Sequence, residues 1–217
     1  MLRLTRTIWF FAILILCAAT VAEDQSDARS LYQLLSPIKG LSAQFSQQIF
    51  YPNEVPSKPS SGELAATEAN KIRWIVKQPM AQHIIGDGTQ LWHYEPDLEQ
   101  VIIHPFIEDI AVIPIALFAG NLEELDEAYS IVYRPTENPE LKSYLLTSKS
   151  TGAMYTTLQI DFAAQIPILL KLVSPDRTII DINLKNVVIN PQLSDDLFTF
   201  EIPAGVEVFD TVNKNVD

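Results

Sequence analysis

Three histidines and three acidic pairs are the side chains of this sequence whose types could do chemistry. His83, His93 and His104 could ligate a metal, but a zinc site needs three or four converging ligands, often at spacings such as H-x-x-x-H, and these fall on or beside separate predicted strands. Glu123-Glu124, Asp126-Glu127 and Asp195-Asp196 offer the paired carboxylates of general acid/base catalysis. Their contexts are turns and helix ends, where no apolar pocket would separate the two pKa values, so a solvated face is the simpler reading. No serine stands in G-x-S-x-G, which removes the most recognisable part of an esterase. G-x-x-x-x-G-K, G-x-G-x-x-G and C-x-x-C are also absent, and with them the usual nucleotide and zinc signatures. No catalytic residue, metal or cofactor is assigned, and the chain is not expected to be an enzyme.

Trp74 and Trp92 carry more information, each inside an apolar run with Ile72, Ile75 or Tyr94 close by. Packing alone would explain at least one of them as a core aromatic. The other reading is a hollow lined by aliphatic and aromatic groups, which binds acyl chains or similar apolar ligands. Which reading applies depends on the elements that hold them. From Asp24 to Pro37 the apolar residues Ala28, Leu31, Leu34 and Leu35 recur at helical spacing, predicting one amphipathic helix. The period then changes to two over 41–50 and stays there through runs at 63–67, 72–77, 82–85, 90–94 and 100–104, broken by turn residues such as Gln78-Pro79, Asp87-Gly88 and Glu95-Pro96-Asp97. It resumes over 129–133, 141–147, 156–162, 168–173, 178–188 and 198–202. The predicted class is mainly β, a single large antiparallel sheet of about eleven strands. Between Pro105 and Leu125 the period fails in an almost continuous apolar stretch that includes Ile110, Ile113 and Leu117. That stretch predicts one or two short helices, either buried core or an apolar lid across a cavity.

The chain has 217 residues, 47% hydrophobic, with 15 Lys+Arg against 27 Asp+Glu and a net charge of -12. It is too apolar for disorder and too acidic to favour nucleic acid or anionic lipid surfaces as partners. Residues 1–22 read as a signal peptide: Arg3 and Arg6, the apolar run from Ile8 to Leu16, then small residues ending at Ala22. That run is shorter than the roughly 20 residues needed to span a bilayer. Residue 23 onward, to 217, is expected to form one domain, without a cysteine if Cys17 leaves with the leader, and to reside in a bacterial periplasm as a monomer.

Several stretches in order resemble the LolA family of periplasmic lipoprotein carriers: Leu41-Ser42-Ala43-Gln44-Phe45-Ser46-Gln47 after the helix, Gly62-Glu63-Leu64, Ile72-Arg73-Trp74, Leu91-Trp92-His93-Tyr94, and Phe198 to Val206. The resemblance implies an incomplete antiparallel β-barrel with a lid of short α-helices and an apolar cavity for lipoprotein acyl chains. It further implies an inner-membrane ABC transporter that loads the carrier and an outer-membrane receptor, LolB, that empties it. LolB has the same fold but is itself a lipoprotein, and Leu16 before Cys17 makes a poor lipid-attachment site, which favours the carrier. A periplasmic binder of other lipids or glycolipids is the alternative. The expected cavity border is Phe45, Ile72, Trp74 and Trp92 with Ile110, Ile113 and Leu117 from the lid; Ile72 is placed at its rim, where a glutamate would harm transfer more than folding. The family's Arg-Pro latch after the Gly-x-Leu strand start falls here on Glu68 and Ala69. A carboxylate accepts but cannot donate, so Glu68 is a gating position whose role departs from the family's.

Overall fold

The computed structural model describes residues 27–67, 70–106 and 122–212. Helix α1 covers 27–35. The strands β1 (Gly40–Phe50), β2 (Ser60–Thr67), β3 (Lys71–Gln78), β4 (Gln82–Asp87), β5 (Gln90–Glu95) and β6 (Gln100–Pro105) follow as a meander. A short helix α2 (Leu122–Ala128) leads into β7 (Tyr129–Arg134), β8 (Leu141–Ser148), β9 (Thr157–Ala163), β10 (Ile166–Val173) and β11 (Ile179–Ile189), and β12 (Glu207–Asp210) ends the described chain. They form one sheet in the order β12-β6-β5-β4-β3-β2-β1-β11-β10-β9-β8-β7. The edges β12 and β7 do not pair with each other, so the sheet is open among the described residues.

Two expectations are corrected here. Among the described residues there are twelve strands, and the last pairs parallel to β6, with Glu207 opposite Gln100 and Asp210 opposite Ile103. The run 198–202 is not a strand. A 3-10 turn at Asp195–Phe198 leads into an extended strap in which Phe200 and Val206 pack on the outer face of β3 to β6. Pro203 has no N–H to give to a ladder, and the alternating apolar residues that suggested a strand serve to cover the sheet. Lys71 pairs with Asp195 at 2.6 Å and Arg73 donates to the Leu197 carbonyl at 3.2 Å, which ties the turn to β3.

The inner face follows from strand parity. Ile180, Ile182 and Leu184 of β11 face inward and Asp181, Asn183 and Lys185 alternate with them, so Leu184 meets Phe45 and Ile182 meets Leu170 across the ladders. The inner cluster continues through Leu158, Ile160, Leu146, Tyr144 and Ile131 to the β7 edge. Helix α1 lies on this face with Ala28, Leu31, Leu34 and Leu35 buried, the stripe its sequence spacing predicts. Each buried leucine contributes roughly 1.5–3 kcal/mol. Its first turn is fixed over the far strands: the Tyr133 N–H donates to Asp27 Oδ2 at 2.9 Å, and Ser30 shares a 2.9 Å hydrogen bond with the Tyr144 hydroxyl. Its exit is clamped by Asn190, whose Oδ1 accepts from the N–H groups of Lys39 and Gly40 while its Nδ2 donates to the Pro37 carbonyl. Asn190 sits at φ 53, a left-handed conformation that asparagine tolerates better than most residues.

The Asp87-Gly88 turn forms as its sequence suggests. Asp87 Oδ1 accepts from the Thr89 N–H, the Thr89 hydroxyl and the Gln90 N–H, and Gly88 takes φ 96. Burial pushes the Asp87 carboxyl up, but those hydrogen bonds outweigh it and hold the group below its ordinary value.

Gly62 is the position where β2 requires a missing side chain. The β2–β3 register shifts between Ser61 and Gly62, and a Cβ on Gly62 would stand 1.8 Å from the Ile75 carbonyl oxygen and 3.0 Å from the Phe45 ring. The ring of Phe45 occupies that space and stacks on Trp74 with centroids 4.0 Å apart. Gly62→Ala is expected to lower stability by about 1–3 kcal/mol, since the clash is with backbone that cannot rotate away. A urea midpoint equal to that of wild type would show that the bulge shifts freely.

Candidate functional site

A cleft of about 350 Å³ opens at the end of the inner face where β1 finishes, opposite the end at which α1 feeds into that strand. The volume is at the lower end of the range for small-molecule sites, roughly 300–1,000 Å³. Trp74 and Val76 of β3, Ile84 of β4, Ile49 of β1 and Ile180 of β11 supply apolar walls, with Tyr155 from the β8–β9 connection. Pro79 and Met80 of the β3–β4 turn, with Gln47, Ser57, Lys58, Ser60 and Gln82, complete the lining. Register explains the convergence: Trp74 faces Ile84 across β3–β4, and Ile49 faces Ile180 across β1–β11. Burial raises the pKa of the Tyr155 hydroxyl, so it is neutral wherever the protein is folded near neutrality.

Of the residues expected to border one cavity, Phe45, Ile72 and Trp74 share the inner face. Only Trp74 reaches the cleft; Phe45 lies behind it in the stack, and Ile72 is 0% exposed within the core. The placement of Ile72 at a rim is therefore corrected. Trp92 is on the opposite face. Ile84 pairs with His93, so in β5 the parity of Trp74 belongs to Leu91 and His93, while Trp92 pairs with Ile85 and packs under Phe200 at 6.3 Å. A one-residue change of parity moves a side chain through the sheet. Glu68, Ile110, Ile113 and Leu117 lie outside the described residues, as do residues 1–22.

The cleft residues that sequence reading missed are Ile49, Val76, Ile84, Tyr155 and Ile180. For Val76 the signal was present, because it is two residues beyond Trp74 in the same strand and so shares its face. For Ile180 and Ile49 no local pattern tells which end of a long inward-facing stripe stays open.

The residues first weighed for chemistry are dispersed. His83 packs edge-on against Tyr94 on the outer face, with ring centroids 5.5 Å apart. His93 is inward; its Nε2 is buried, has no hydrogen-bond partner among the described residues and stands 3.7 Å from Glu95 Oε1. Burial lowers its pKa, Glu95 opposes that and His104 adds to it, so the ring is neutral at pH 7. Asp126 and Glu127 are exposed on α2, as are Asp195 and Asp196 on the outer turn. Among the described residues no three His, Cys, Asp or Glu side chains cluster as metal ligands would.

The chain matches the family model described as outer membrane lipoprotein carrier protein LolA over residues 36–201. An outer-membrane lipoprotein carrier protein of Hahella chejuensis is 29% identical over 193 residues, 89% of this chain and 92% of that one. The protein so described in Legionella pneumophila (strain Corby) is 30% identical over 198 residues, 91% of this chain and 96% of its own. In Pseudomonas aeruginosa (strain UCBPP-PA14) the corresponding carrier is 27% identical over 207 residues, 95% of this chain and 99% of its own. The match spans the sheet from β1 to the strap, including the strands that build the cleft, and members of this family are carriers, not enzymes. The chain belongs to the LolA family of outer-membrane lipoprotein carrier proteins.

Proposed function

We propose that this protein is a periplasmic carrier that shields the acyl chains of lipoproteins in the cleft between β1, β3, β4 and β11. The observation that carries this reading is the cleft's position: an aliphatic and aromatic trough at the end of the inner face that the described residues leave open, in a member of a lipoprotein-carrier family. Transfer of acyl methylenes from water into such a lining is favourable by about 0.8 kcal/mol each, so cargo is held without covalent chemistry. In this reading residues 1–22 export the chain, which then acts as one incomplete barrel. The apolar stretch holding Ile110, Ile113 and Leu117 acts in this reading as the lid over the chains, with Glu68 as a gating position. Loading comes from an inner-membrane ABC transporter and release goes to the receptor LolB, which needs only the more favourable pocket.

The test is release of a radiolabelled lipoprotein from energised inner-membrane vesicles. Purified protein is expected to bring the label into the soluble fraction as a complex, and LolB-containing outer membranes are expected to remove it. Label that stays in the vesicles at all protein concentrations would reject the reading. Mass spectrometry of lipids co-purifying with the protein would reveal a cargo of another class.

A further inference from the structure

We propose that the cleft takes an acyl chain carrying an anionic head, and that Lys58 holds that head at the mouth. This rests on the acyl-chain reading of the cleft. Among the described residues that line the cleft, Lys58 is the one charged side chain; its polar neighbours there, Gln47, Ser57, Ser60 and Gln82, are neutral. No carboxylate among the described residues pairs with it, whereas Lys71, Lys77 and Lys171 are matched with Asp195, Glu63 and Asp181. In a chain of net charge -12, an exposed cation left unmatched beside an apolar trough makes the mouth complementary to an anion.

The backbone fixes this position. The Ser57 N–H donates to the Ile49 carbonyl at 2.8 Å, the Ile49 N–H donates to the Ser57 hydroxyl at 2.9 Å, and Gln48 Nε2 donates to the Ser57 carbonyl at 3.1 Å. These bonds anchor the β1–β2 connection one residue before Lys58, and Pro59 restricts the chain directly after it. The lysine therefore starts from a fixed point at the rim, and only its side chain has to reach the head. The volume admits an acyl chain. A methylene is close in size to a water, about 30 Å³, so the cleft has room for at least about a dozen. A fatty-acid carboxylate and a lysophospholipid phosphate meet the same requirement.

Calorimetric titration of the full chain with four probes of equal chain length, each below its micelle concentration, tests this. The probes are myristate, monomyristoyl phosphatidylglycerol, neutral monomyristoyl glycerol and cationic tetradecyltrimethylammonium. At low ionic strength at least one anionic probe should bind roughly two- to fivefold tighter than the neutral one, the size expected of an exposed pair, and the preference should shrink as salt is added. A preference confined to myristate assigns the head to a carboxylate, and one confined to the lysophospholipid assigns it to a phosphate; both support the proposal. Lys58→Gln should bring the anionic and neutral affinities together, and Lys58→Glu should turn the preference toward the cationic probe. Equal binding of neutral and anionic probes to wild type, or a preference that survives Lys58→Gln, would overturn the head assignment alone. Failure of all four probes to bind would overturn the acyl-chain reading of the cleft, and this proposal with it.

Discussion

Ile72→Glu is expected to abolish the cooperative melting transition at neutral pH. Ile72 is 0% exposed, faces Ala66 on one side and Gly86 on the other, and belongs to the inner cluster. The neighbouring cations give no relief, because Lys71 and Arg73 have the opposite parity and are held on the outer face by Asp195 and the Leu197 carbonyl. An uncompensated buried carboxylate costs several kcal/mol, against a total stability of about 5–15 kcal/mol. Such a glutamate would have its folded-state pKa raised, so the penalty is complete well above that value and disappears below the unfolded value near 4.3. The variant should accordingly regain structure as pH falls toward 4, over the range in which wild type has no comparable gain. Ile72→Val, which costs only about 0.5–1.5 kcal/mol, is the control. Circular dichroism melts across pH test this. A soluble Ile72→Glu protein with unchanged melting temperature would place water at this side chain and restore the rim expectation.

The contrast between Ile72 and Trp92 shows what the sequence could and could not specify. Alternation identified nearly all the strands, and helical spacing identified the buried face of α1, because both periods are properties of single elements. The relation between elements was harder to read. In the Leu91-Trp92-His93-Tyr94 run apolar residues occupy both parities, so either face was available to Trp92. The choice was made by Phe200 and Val206, more than a hundred positions later, which cover the outer face. The same strap was read as a strand because covering a sheet and joining one both place apolar residues at alternate positions. Ile72 and Trp74 have one parity and one ladder, yet their exposure to the cleft differs, since among the described residues cover comes from α1 at one end of the sheet and ends short of the other. The resemblance supplied the existence of a cavity; the position of its walls needed the register.

Ile84→Glu is expected to leave the protein folded and to weaken acyl-chain binding roughly fiftyfold. Ile84 is half-buried, faces Trp74 across the ladder and forms one wall of the cleft, so water can reach a carboxylate placed there. The folding cost is therefore far smaller than at Ile72, where no water reaches. The binding cost is large because a hydrated charge keeps apolar groups away. Excluding about three methylenes from the lining forfeits about 2.4 kcal/mol, and each 1.4 kcal/mol is a factor of ten in affinity. Ile180→Glu makes the same test from β11, on the other side of the cleft, and guards against a local defect of β4. The measurements are displacement of a fluorescent fatty-acid probe, lipoprotein release from inner-membrane vesicles and a thermal melt on the same preparations. Both variants should melt within several degrees of wild type while losing probe affinity and release together. If both keep wild-type affinity while folded, the acyl chain does not run between Ile84 and Ile180. If affinity falls only in proportion to lost stability, the cleft walls are core and the binding surface lies elsewhere.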